Sequence, residues 1–389
     1  MVREASIAGS SSQPKIAIIG GGVIGLSIGW RLAQAGCAVD LFERGQAGEG
    51  ASWAAAGMLA AGVEAEPGET ALLALNQASL KLWPGFAAEL KAASGIDVEY
   101  RDQGTLVLAL TGDDVDHLRF TYDFQRGNGI DLHWLTGAQA RQIEPRLAPG
   151  IAAAVLSPGD HQVNNRLLVA ALAGAFRDAG GRLHEHTPVI ALDSAGGKAR
   201  GVRLADRSHA ADFVVLAAGA WARQIEGLPD AAKVPVRPIK GQMLALRMDK
   251  RAPLVEHVIW APGIYLVPRQ DGRLILGATV EEKGFDPTIT AGGILSLLEA
   301  AWRALPSIED LPIDEMWTGF RPGSPDDAPI LGPGAINGLV LAVGHHRNGI
   351  LLTPITAGEV SRYILTGVVN DTIQPFGGER FAAAKRAVR

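Results

Sequence analysis

Three glycines at the spacing Gly20-x-Gly22-x-x-Gly25 follow the apolar run Ile16 to Ile19, and Glu43 closes a second apolar run, Ala38 to Phe42. These residue types at this spacing hold a dinucleotide. Gly20 makes the tight turn, Gly22 lets the backbone approach a pyrophosphate, and Gly25 lets helix and strand pack closely. Val23 and Ile24 open the helix, whose first turn offers unpaired N–H groups and a positive dipole end to the phosphates. Glu43 stands where a carboxylate accepts a ribose hydroxyl, with Arg44 beside it. A bare glycine triplet is weak evidence. Here strand, turn, helix, second strand and acid form one complete βαβ unit.

Three further segments decide between NAD and FAD, and they favour FAD. In the run ASWAAAGML (residues 51–59), small residues allow a flat ring to lie against the backbone, and Ser52 can donate to a phosphate. Ala51, Ala56, Gly57 and Met58 complete that wall. The run VVLAAGAW (residues 214–221) ends a strand on Ala218 and Gly219, a path beneath a pyrophosphate. The run GHHRNGILL (residues 344–352) precedes the last helix. Its backbone N–H groups suit the negative charge that develops on a reduced ring. His345, His346, Arg347, Asn348, Gly349, Ile350 and Leu351 are assigned to the cofactor on this ground, and Val189 joins the same set.

The elements that must position these residues are legible in outline. The chain has 389 residues, 47% hydrophobic and 20% charged, enough for two or three domain-sized units. The net charge of −5, without a dense basic block, argues against nucleic acid. One cysteine, Cys37, allows no internal disulfide and suits a reducing, cytoplasmic setting. No apolar run reaches the ~18 residues of a transmembrane span. Residues 1–13 read as a frayed polar leader.

Helices are expected over Gln77 to Ala93 with a kink or break at Pro84, Asp113 to Gln125, a segment capped by Asn164 or Asn165 running to Ala179, Ile294 to Leu305, and Pro354 to Leu365. Strands are expected at Thr105 to Ala109, four short runs between Arg182 and Ala217, Val234 to Arg247, Ile264 to Pro268, Leu274 to Ala278 and Leu339 to Val343, with a hairpin at Asp271-Gly272. The fold class is α/β: a Rossmann-like FAD-binding domain (residues 14–75, 150–233 and 326–389) interleaved with an α+β substrate domain on an antiparallel sheet (76–149 and 234–325).

These segments, with GIYLVPRQDGRLILGATVEEKGFD (residues 263–286) and WTGFRPGSPDDAPILG (residues 317–332), resemble the D-amino-acid oxidase superfamily of flavoproteins, and within it the glycine oxidases of thiamin biosynthesis. The resemblance covers nearly everything after the leader. It implies non-covalent FAD, in keeping with a lone thiol placed between the first helix and second strand. It implies hydride transfer from the substrate Cα to flavin N5, giving an imine, then glyoxylate and ammonia, with O2 reduced to hydrogen peroxide. It further implies small substrates (glycine, sarcosine, D-alanine), a functional link to thiazole synthase and a homotetramer.

Such chemistry needs position above all, with reacting atoms about 3–3.5 Å apart. A guanidinium grips a carboxylate through two parallel bonds. Arg321 matches the family arginine that does so, Tyr265 the tyrosine that helps it, and Arg347 a second arginine beside the flavin. Competing roles are a surface salt bridge from Arg321 to Asp326 or Asp327, a core role for Tyr265, and a bridging role for Arg347. Glu281-Glu282 reads as a solvated turn, and His345-His346 lacks partners for a metal. No catalytic carboxylate pair stands out. Trp53 is bulky for its place, so that it either points away from the flavin or alters the ring edge. Gly263 and Val280 are small at the pocket and would admit N-substituted substrates. Two other functions share the signals: a D-amino-acid dehydrogenase feeding a quinone, and a non-catalytic flavin-bound subunit.

Overall fold

Parallel pairing dominates a six-stranded sheet in the order Ile330–Pro333, Leu339–Val343, Phe213–Leu216, Lys15–Ile19, Ala38–Phe42, Arg182–His184. Only the first pair is antiparallel. The structure, a computed structural model, describes residues 13–381. The expected leader therefore lies, but for Gln13, outside the described residues. The central strands are apolar on both faces because both are covered. Helix Val23–Gln34 packs between helices Asn165–Asp178 and Thr353–Thr366. A Cβ on Gly25 would lie 2.0 Å from the Gly20 carbonyl oxygen, so only glycine lets the helix sit down on the strand end.

The second sheet has eight strands, in the order Ile313–Gly323, Arg237–Arg247, Arg273–Gly277, Ile264–Pro268, Val258–Ala261, Thr105–Ala109, Ala153–Ser157, His133–Thr136. All neighbours are antiparallel except Val258–Ala261 beside Thr105–Ala109. Side chains alternate across it. Leu244, Leu246, Leu266, Leu274 and Leu276 face helix Ala291–Ala304, meeting Leu297 and Ala301, where each large buried side chain contributes about 1.5–3 kcal/mol. Met243, Tyr265, Ile275 and Trp317 face the other way, toward Ala54 and Met58 of the cofactor segment.

Several elements differ from the sequence reading. Helix Thr70–Ser94 runs unbroken through Pro84. Ser79 Oγ and Trp83 Nε1 both donate to the Leu351 carbonyl, which anchors the turn where the proline removes a bond. Leu72, Trp83 and Leu90 of that helix lie in the core of the six-stranded sheet, although residues from 76 onward were expected on the substrate side. Conversely, Ala153–Ser157, expected on the cofactor side, is hydrogen-bonded into the eight-stranded sheet. Ile313–Gly323, which has no strand expected from sequence and carries Gly319, Pro322 and Gly323, pairs along its length with Arg237–Arg247. It is an edge strand, where a missing proline N–H costs little.

Candidate active site

A cavity of about 1040 Å³ lies between the two sheets. Its wall includes Gly20, Gly22, Val23, Ile24, Glu43, Arg44, Ala51, Ser52, Ala56, Gly57, Met58, Val189, Ala218, Gly219 and the run His345 to Leu351. Gly25 is not in the wall; it packs beneath, against Gly20.

The cofactor side is held by short, specific contacts. Glu43 accepts from the Gly21 N–H at 2.7 Å and the Gly45 N–H at 3.0 Å, which fixes its carboxylate at the end of the second strand. Ser52 Oγ accepts from the Val23 N–H at 3.0 Å, so its hydroxyl sits on the helix N-terminus. The side chain absent from Gly22 would meet only that hydroxyl, also at 3.0 Å. The Arg44 guanidinium lies 3.7 Å from the Trp221 ring centre.

Two buried residues that the sequence reading did not assign to the site hold the run 51–59. Asn165 Nδ2 donates to the Ser52 and Trp53 carbonyls. Arg269 donates to the Ala56 carbonyl at 2.5 Å, to that of Val163 at 2.6 Å and to Asn165 Oδ1 at 2.9 Å. Burial pulls Arg269 down to about 9. Trp53 is not in the wall: it lies edge-on to Trp317 with Arg166 over its ring, and so points away.

His345 is buried with Nε2 3.2 Å from Thr356 Oγ1, and burial pulls it to about 3, so it stays neutral. His346 Nδ1 lies 3.3 Å from Asp327. Among the described residues no group of histidines, cysteines and acids could hold a metal. The sole cysteine, Cys37, is buried and outside the wall, so no thiol can attach a cofactor. The glycine turn, the helix N-terminus carrying Ser52 and the fixed Glu43 fit FAD.

Tyr265, Arg321 and Arg347 also line the cavity. Arg321 lies across Gly241, where a Cβ would stand 2.6 Å from its Nη1, and Nη1 donates to the Thr279 carbonyl at 3.2 Å. The expected competitors are occupied elsewhere: Asp326 pairs with Arg380 and Asp327 with His346. Among the described residues no carboxylate is ion-paired with Arg321. A half-buried cation without a counter-ion is a place for an anion. The Tyr265 hydroxyl lies across Gly277 in the same manner, 2.5 Å from where a Cβ would be, and 3.9 Å from Met243 Sδ. Burial pushes its hydroxyl above the usual range, with Arg321 opposing.

Arg347 is already matched. Its Nε lies 3.2 Å from Glu64 and its Nη2 2.8 Å from Glu69, so it bridges the cavity wall to the segment before helix Thr70–Ser94. Glu64 is the principal residue that sequence reasoning missed. It lines the cavity with a side chain only 9% exposed. Burial pushes it up to about 7 against the pull of Arg347; Asp160 pushes the same way, Arg321 pulls down and Glu69 pushes up. Nothing local separates Glu64 from Glu66 or Glu69 in the chain. Asp160 sets its place by accepting from the Gly62 and Val63 N–H groups at 2.7 and 2.8 Å. Glu281 is likewise no solvated turn: it accepts from Thr279 and Gln242 beside the buried Lys240.

The chain is similar to known proteins over most of its length. A family model described as DAO, FAD dependent oxidoreductase, matches residues 15–363. The glycine oxidase of Geobacillus kaustophilus is 41% identical over 353 residues, 88% of this chain and 90% of that protein. A crystal structure of glycine oxidase from Geobacillus kaustophilus superposes with a TM-score of 0.89 at 38% identity, over 95% of this chain and 99% of that one. The bifunctional protein ThiO/ThiG of a Synechocystis species is 39% identical over 94% of this chain, which spans 54% of its length. A crystal structure of iminodiacetate oxidase from a Chelativorans species matches with a TM-score of 0.85 at 26% identity, over 93% of this chain and 98% of that one. With a family model spanning most of its length and a relative this similar, the chain belongs to the DAO family of FAD dependent oxidoreductases.

Proposed function

We propose that this protein oxidises glycine, together with sarcosine, D-alanine and other small amines, to the imine, which hydrolyses to glyoxylate and ammonia. Bound FAD would supply the hydride acceptor, and O2 would be reduced to hydrogen peroxide. One observation carries the reading. Arg321 and Tyr265 lie over Gly241 and Gly277 in the wall of the same cavity that carries the dinucleotide motif. A carboxylate gripped there would be held by charge-assisted bonds to a guanidinium that has no ion-paired carboxylate among the described residues. At an effective dielectric near 20, such a pair at about 4 Å interacts by about 4 kcal/mol. With its carboxylate fixed, a short amino acid has little freedom left at Cα. Glu43, Ser52 and Gly22 would hold the cofactor's ribose and phosphates.

Width at the substrate side favours N-substituted glycines as well. A Cβ on Gly263 would meet nothing within 4 Å, and Val280 is exposed. The relatives named ThiO/ThiG carry both names on one chain, and on that ground we assign the imine to a thiazole synthase. A panel of amines assayed for peroxide under air tests the reading. Peroxide from glycine at one equivalent per glyoxylate supports it. Substrate-dependent flavin bleaching without peroxide points to a quinone-linked dehydrogenase, and no bleaching to a non-catalytic subunit.

A further inference from the structure

A free amino acid carries its amine as an ammonium at neutral pH; even a terminal α-amine has a pKa of about 7.7–8.0. A nitrogen without a free electron pair cannot assist loss of hydride from the adjacent carbon. A proton must therefore leave, and the cavity wall offers few acceptors. Glu43 is committed to two backbone amides beside the ribose site. Glu49 and Glu226 are exposed, the latter paired with Arg203, while His345 is turned to Thr356 and His346 to Asp327. Tyr265 is a buried hydroxyl that holds its proton more firmly than usual. Arg321, Arg347 and Arg44 accept nothing.

Glu64 remains, and its surroundings suit the task. It lines the cavity, and its field reaches both Tyr265 and Arg321, the two groups assigned to the substrate carboxylate. Its ion pair to Arg347 uses Oε2, at 3.2 Å, and among the described residues no hydrogen bond reaches Oε1, the oxygen an incoming donor would use. The charged and titratable groups around it are Arg347, Asp160, Arg321, Glu69 and Tyr265. The pair Arg321 and Glu64 thus presents one positive and one negative group to a ligand with one of each.

Resting on the amine-oxidising reading above, we propose that Glu64 receives the substrate's ammonium and removes its proton before the C–H bond breaks. One N–H bond breaks, its electron pair stays on nitrogen, and the proton ends on a Glu64 carboxylate oxygen. No oxidant or further reactant enters this step. Burial holds Glu64 near neutrality, where a carboxylate works best as a base toward an ammonium.

The test is the pH profile of flavin bleaching by glycine in the absence of O2, read on the FAD-loaded protein and on Glu64→Gln. In the wild type the second-order rate rises with pH through the ionisation of Glu64. In Glu64→Gln the rise is displaced to the ionisation of the amine itself, so the rate at neutral pH falls by about 100-fold and the deficit closes at high pH. Glycolate, which has the carboxylate but no ammonium, binds both proteins alike, read as a shift of the flavin spectrum. An unchanged profile overturns the proposal. Equal losses for glycine and glycolate also overturn it, since they mark a structural part for the Arg347 pair. Should Glu64→Gln fail to hold FAD, Glu64→Asp carries the test: its rise persists at a displaced pH, and an undisplaced rise overturns the proposal. A wild type that no small amine bleaches overturns the functional reading and this step with it; bleaching with an unaltered variant profile overturns this step alone.

Discussion

Arg321 lies where a side chain on Gly241 would stand: a Cβ at position 241 would come within 2.6 Å of Nη1 and 2.8 Å of Nη2. The two strands are neighbours, with Gly241 opposite Gly319 and Ile239 opposite Arg321. The guanidinium thus owes its place to a missing side chain on the adjacent strand.

Gly241→Ala should displace Arg321 without touching the cofactor side. A shift of about 1 Å in a positioning group can cost about 100-fold, and a loss of that order in kcat/KM for glycine is expected with full FAD content. Steady-state kinetics beside the flavin absorbance of the purified variant measure both. Wild-type kinetics would show that the arginine can settle elsewhere at no cost.

Arg321→Ala removes the partner of a buried carboxylate. The expected loss in kcat/KM for glycine is about 2–5 kcal/mol, as for truncating one side of a buried charge pair. Added guanidinium ion should restore part of it. A variant as active as the wild type would take Arg321 out of the site.

Gly22→Val places a branched side chain at the helix N-terminus, against Ser52 Oγ. The protein should purify colourless, with FAD content near zero by acid release and absorbance. Retention of full flavin would contradict the assignment of this turn to the phosphates.

His345 should make stability depend on pH. Burial depresses its pKa to about 3, while the unfolded chain takes up the proton near 6.5. The sign follows from the unfolded state binding the extra proton: stability is fully present above about pH 6.5 and falls by about 1.4 kcal/mol per pH unit below it, down to the folded pKa. Urea unfolding of wild type and His345→Gln at pH 7 and pH 5 measures this. The wild type should lose about 2 kcal/mol more than the variant, and parallel losses would assign the acid sensitivity to other groups.

What could be read along the chain was whatever a short stretch decides for itself. The unit from Lys15 to Glu43 is complete within one strand–turn–helix–strand, and its glycines answer to contacts with their own neighbours, as Gly25 does to Gly20. The cap at Asn164, whose side chain accepts from the Arg166 and Leu167 N–H groups, is equally local. Membership in a flavoprotein family followed from such runs. The tertiary structure decided the rest. Ile313–Gly323 is a strand because Arg237–Arg247 lies beside it, against the preference of its glycines and proline. Glu64 differs from Glu66 and Glu69 through its burial in the cavity wall and through Asp160 and Arg321, which reach it from distant segments, while Arg347 is shared with Glu69. Desolvation and pairing belong to the folded arrangement, so the charge state of a carboxylate cannot be found in the residues on either side of it.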